Sequence, residues 1–115
     1  MAREFNRADR VAEALRRDLA TPIAEFTRDY GGGLVTLTDV KVSSDLKHAR
    51  LYVSVLGAEE SVVLKLLHEQ VREFRHHVAN HMRLPTIPDL TFHIDDSLAR
   101  GARVSALLDD SATDE

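Results

Sequence analysis

At 115 residues, 43% of them apolar, the chain is long enough for one domain with a sizeable core that needs no staple. It has no cysteine, which excludes a disulfide scaffold and thiolate metal sites and fits a reducing, cytoplasmic compartment; no run approaches 18 apolar residues, which excludes a helical membrane span. The net charge of −4 argues at first against a nucleic-acid partner, yet four acids (Asp109, Asp110, Asp114, Glu115) crowd the last seven residues, and without them 15 acids meet 15 bases. A neutral body still binds phosphate if its bases gather on one face.

Met1-Ala2-Arg3-Glu4-Phe5 has no apolar run after its charge, so no secretory leader is expected. From Asn6 to about Arg28, Ala8, Val11, Leu15, Leu19, Ile23 and Phe26 recur at steps of three and four, predicting a first helix. Asn6 or Asp9 supplies its N-cap oxygen, and Asn6 is the better placed. Pro22 falls inside the pattern and predicts a kink near 18–21 or two helices meeting there. Arg7, Arg10 and Arg17 stand on the polar side. Gly31-Gly32-Gly33 then ends the helix. A phosphate-cradling loop is disfavoured, because such a loop follows a strand and opens a helix.

Leu34 to Ser43 alternates with period two, and its parity flips around Thr38-Asp39, which predicts a bulge. Ser43 to Lys47 reads as a turn, and Ala49, Leu51, Val53 and Val55 as the inward set of a second strand, so the two strands form a hairpin. Tyr52 faces away from that inward set. From Ser61, Val63, Leu67, Val71, Phe74, Val78 and Met82 mark one face of a long helix. Lys65, Arg72, His76 and Arg83 stand opposite, with His68 and Arg75 flanking. Pro85 and Pro88 stop it, and Leu90 to Ile94 alternates as a third strand. Asp95-Asp96-Ser97 caps an expected short helix from Leu98 to Leu108, and the tail 109–115 is expected to be disordered. This order predicts an α+β two-layer domain over 5–108, a three-stranded sheet with both long helices on one face. The other face is left for water or a partner.

Catalytic chemistry has little support, since no nucleophile–base pair can be assigned and no phosphate-binding loop is present. His77 and His81 stand four apart on a helix, but the sequence places no third ligand near them, so no metal or other cofactor is expected. Asp95 and Asp96 suit a helix cap better than a magnesium site. Phosphate binding has more: Lys65, Arg72, Arg75 and Arg83, joined by Arg7, Arg10 and Arg17 if the first helix packs alongside. The aromatics look like core, which argues against a base-stacking platform.

Three blocks of residues carry a resemblance: Arg7-x-x-Arg10-Val11; Ser43-x-Asp45-Leu46-x-x-Ala49-x-x-Tyr52-Val53-Ser54; and Met82-Arg83-Leu84 followed by Pro88-x-Leu90-x-Phe92-x-x-Asp95-x-Ser97 and Gly101. The pattern resembles bacterial ribosome-binding factor A from about Arg3 to Leu108. The resemblance implies a type II KH-like fold and a non-enzymatic role. It implies binding to the immature small (30S) ribosomal subunit and its 16S rRNA, help in rRNA maturation, and support of growth in the cold. A monomer is expected, with no membrane and no small-molecule substrate among its partners. Where that family has an Ala-x-Gly kink, this chain has Gln70-Val71-Arg72, which predicts a weakened kink or an unbroken helix; an acidic tail replaces the basic extension of some members. Two other readings stay open. One is a protein-docking module that uses the open sheet face or an exposed helix. The other is a small hydrolase built on Asp95 and Asp96.

Overall fold

The first helix, α1 (Arg7–Asp29), begins on a reciprocal cap: Asn6 Oδ1 accepts from the Asp9 amide at 2.8 Å, and the Asp9 carboxylate accepts from the Asn6 amide at 3.4 Å. A computed structural model describes residues 6–31 and 33–96; the expected helix 98–108 and the acidic tail lie outside them. Ala8, Val11, Leu15, Leu19 and Ile23 form the buried stripe of α1. Thr27 extends it without an unmet donor, because its hydroxyl gives to the Ile23 carbonyl at 2.9 Å. The helix runs without interruption through Pro22, so of the two expectations, a kink or a pair of helices, the pair does not occur. Proline forfeits the bond its N–H would give to the Asp18 carbonyl and crowds that carbonyl with its ring. Leu19 before it and Ile23 and Thr27 after it are all fully buried, so the buried stripe continues past the proline.

After α1 come β1 (Leu34–Val42) and β2 (His48–Leu56), an antiparallel hairpin. Leu37 pairs with Val53 and Asp39 with Tyr52, which leaves Thr38 as the extra residue of the expected bulge. The bulge keeps Val35, Leu37 and Val40 on one side despite their odd spacing, and all three are buried. In the connecting turn, Asp45 Oδ1 accepts from the Ser43 hydroxyl at 2.7 Å and the Lys47 amide at 3.0 Å. Those bonds hold its carboxyl below the usual carboxylate range. Leu46 takes φ 65°, unusual for a residue with a branched side chain, and is 5% exposed; the turn aims it into the core.

The last strand, β3 (Asp89–Ile94), lies parallel to β2, giving the order β1-β2-β3. The crossover between these parallel neighbours is two helices, α2 (Glu60–Glu69) and α3 (Val71–His81). The unbroken helix expected from Gln70-Val71-Arg72 is therefore corrected. Gln70 has ψ 9°, and its amide bonds the Leu67 carbonyl three residues back at 3.0 Å. No glycine is needed, since φ −106° is open to any residue. Packing accounts for the break. At the end of α2, His68 Nε2 accepts the Phe92 amide at 3.0 Å on the strandless edge of β3. Six residues on, Phe74 of α3 stands edge-on between Phe26 (5.9 Å) and Phe92 (5.8 Å). The apolar stripe nevertheless continues across the junction as Val63, Leu67, Phe74 and Val78, all buried. Helices cover one sheet face, and the buried residues form one cluster: an α+β two-layer domain with a mixed three-stranded sheet.

Candidate nucleic-acid interface

The cap and buried stripe of α1 fix the rotation of that helix, and with it the direction of its bases. Arg7, Arg10 and Arg17 are exposed. Arg10 and Arg17, seven residues apart, lie about 10 Å apart along the axis and within about 20° of one line. On the crossover, Lys65 of α2 and Arg72 of α3 are exposed, and Arg83 follows just past the C-cap Met82. Among the described residues, none of these six bases takes part in an ion pair. The ion-paired arginines are Arg16 with Glu13 at 2.7 Å, Arg28 with Asp29 at 3.6 Å, and Arg75 with Asp89 at 3.9 Å. Six cationic heads thus stand in solvent, ready to take acceptor oxygens.

Arg75, expected among the phosphate contacts, is otherwise engaged. Its Nε donates to the Pro88 carbonyl at 3.1 Å and its Nη2 to the Ile87 carbonyl at 2.9 Å. The planar fork ties α3 to the loop that delivers β3. Arg75→Lys keeps the charge but not the fork. Chemical denaturation of that variant should show a loss of about 1–2 kcal/mol, the net worth of charged hydrogen bonds at a half-exposed site. Unchanged stability would return Arg75 to the pool of free bases.

A second basic surface was signalled in the sequence only by strand parity, which turns Arg50 and Tyr52 outward. On the open sheet face, Arg50 and His48 of β2 are exposed with Lys41 of β1 and Thr91 of β3. Tyr52 and His93 meet there with ring centroids 5.5 Å apart. Burial, the Arg50 guanidinium and His68 together push His93 below the ordinary histidine value, each disfavouring its charged form. Period-two alternation put these side chains outside, but only the pairing of β3 to β2 brings His93 to Tyr52.

The acids considered for catalysis have structural partners. Thr38 Oγ1 at the bulge bonds the Asp95 carboxylate, and the Asp95 amide bonds the Val53 carbonyl at 2.7 Å. The histidine pair gains what the sequence did not place. Asp18 of α1 reaches His77 and His81, with ligand atoms of all three within 4.8 Å of one another.

A family model described as ribosome-binding factor A matches residues 7–108. The chain is 39% identical to the ribosome-binding factor A of Chromohalobacter salexigens, over 98% of this chain and 89% of that protein. The chain belongs to the ribosome-binding factor A family. Among solved structures, the crystal structure of ribosome-binding factor A from Thermus thermophilus has a TM-score of 0.69 at 26% identity, covering 77% of this chain and 97% of that one. A homology model of the Thermus thermophilus protein, fitted into a cryo-electron microscopy map of a 30S complex, shares the fold. Its TM-score is 0.56 at 24% identity, over 72% of this chain and 93% of that one.

In this member of the ribosome-binding factor A family, most of the motif residues build the fold. Asp45 and Leu46 shape the turn, Leu90 and Phe92 fill the core, Pro88 receives Arg75, and Asp95 closes the bulge. Arg7, Arg10 and Arg83 are different. All three are exposed and outside every ion pair found among the described residues.

Proposed function

We propose that this chain binds the immature small ribosomal subunit through its 16S rRNA and assists late rRNA maturation in the cytoplasm, without a catalytic step, in support of growth in the cold. The observation that carries this reading is the set of six exposed bases on α1, α2, α3 and just beyond that stand outside every ion pair among the described residues. Phosphate contacts by such bases position a protein on RNA without reading sequence. The family name and the homologue fitted into a 30S complex point to the same partner. Counterion release by several contacts makes such binding strongly dependent on salt.

The protein-docking reading keeps one observation of its own. Leu34 and Leu56, register partners on the open sheet face, are 62% and 68% exposed. An apolar interface there would lose little affinity as salt rises.

Gradient sedimentation of a bacterial lysate containing the tagged chain separates the two. Co-migration with free small subunits, released as salt rises, is the expected result. Retention at the top of the gradient at low salt would overturn it, and binding insensitive to salt would favour protein docking.

A further inference from the structure

The junction of α1 and α3 holds a group of side chains that RNA binding does not use. Asp18 is largely buried, at 18% side-chain exposure, and His77 is at 30%. His77 Nε2 stands 3.4 Å from Asp18 Oδ1, and the other carboxylate oxygen, Oδ2, is shut off from solvent with no hydrogen-bond partner among the described residues. A buried carboxylate oxygen without a donor is unfavourable and calls for a cation or a donor beside it. His81, one turn beyond His77, stacks its ring on that of His77 with centroids 4.0 Å apart. His81 Nδ1 lies 2.7 Å from the His77 carbonyl oxygen, which can only accept. The proton of the neutral ring therefore sits on Nδ1, and Nε2 presents a lone pair. A backbone carbonyl holding one ring nitrogen so that the other can ligate is a recurrent outer support of metal-binding histidines.

We infer that Asp18, His77 and His81 form a site for a zinc-class divalent cation that clamps α1 to α3. Two imidazole nitrogens and one carboxylate oxygen suit zinc and cobalt(II), whereas magnesium and calcium take oxygen ligands and shun this set. Ligand atoms now within 4.8 Å of one another must close to about 3.4 Å around an ion held at about 2.1 Å. Small rotations of an aspartate and two imidazoles at a helix–helix seam supply that movement. The stacked rings must tilt apart, since each ring plane has to contain the ion. Three protein ligands leave a fourth tetrahedral position for water, on the exposed His81 side.

The clamp has a readout independent of ribosome binding. Zinc that binds the folded chain alone raises the thermal midpoint, by roughly 10 °C or more at a hundred times its dissociation constant. The test uses the untagged full chain stripped of metal, with zinc, cobalt(II) or magnesium added in turn. Expected are a rise with zinc, visible absorption bands of tetrahedral cobalt, and no rise with magnesium. His81→Gln, an exposed position that should fold normally, and Asp18→Asn, a near-isosteric change, should each abolish the rise and the cobalt bands. His76→Gln, on the outward side of the same helix, should leave both intact. The proposal is overturned if zinc leaves the wild-type midpoint unmoved, if magnesium matches it, or if either ligand variant responds like the wild type.

Discussion

Replacing Arg10 and Arg17 together by glutamate should weaken small-subunit binding about a hundredfold at low salt and lower the log–log salt slope by about two. Both guanidinium groups are exposed and outside every ion pair found among the described residues, so the fold loses little when they go beyond the attraction of Arg17 for Glu13 one turn back. Surface substitutions of this kind stay within about 0.5 kcal/mol in stability. The reversal removes two phosphate contacts and sets two like charges against the RNA. A second double variant, Arg72→Glu with Arg83→Glu, probes the crossover helices in the same way. Arg75 is the wrong residue for either pair, since Arg75→Glu would release the Ile87–Pro88 loop and mix instability with lost binding. Filter binding to purified small subunits across a salt series reads both numbers. A double variant of α1 with wild-type affinity and slope would remove that helix from the interface.

A methyl group placed on Gly33 should destabilise the domain by about 3 kcal/mol, whereas one on Gly31 should cost about 1 kcal/mol. Both glycines have positive φ, +79° at Gly31 and +73° at Gly33, so both alanine variants carry left-handed strain. Only at Gly33 does the new Cβ also strike backbone. It collides with the Leu56 carbonyl oxygen, lies 3.0 Å from the Gly57 carbonyl carbon and 3.2 Å from the Ala58 Cβ. At Gly31 nothing among the described residues beyond its chain neighbours stands within 4 Å. The close approach occurs where β1 begins beside the end of β2, so relief would require moving the hairpin pairing itself. Urea denaturation of the two alanine variants gives the comparison. Equal losses would mean that the strands part easily at that end.

Much of this molecule is decided by local rules visible in the chain. Asn6 caps α1 because a side-chain oxygen can reach an orphan amide three residues on, and Asp9 returns the bond. The parity flip at Thr38-Asp39 can be absorbed in a paired strand only by one extra residue, and a bulge stands there. The apolar spacings mark the buried faces of the helices and strands, because period 3.6 and period 2 are set by backbone geometry. Exposure of Arg7, Arg10, Arg17, Lys65 and Arg72 follows from the same periodicity, whereas Arg83 lies past the end of α3.

What the local rules could not reach are contacts between elements distant in sequence. A run of helix formers through Gln70 reads as one helix, yet His68 and Phe74 answer to different parts of the sheet edge and α1, and the helix breaks between them. Arg75 lies on the flank of a helix whichever way it is used; only the return of the chain through Ile87 and Pro88 gives its fork two carbonyls. The meeting of Tyr52 with His93 depends on β3 lying parallel beside β2, and the meeting of Asp18 with His77 and His81 on the packing of α1 against α3. Periodicity tells which way a side chain points. Only the packed chain decides what it meets there.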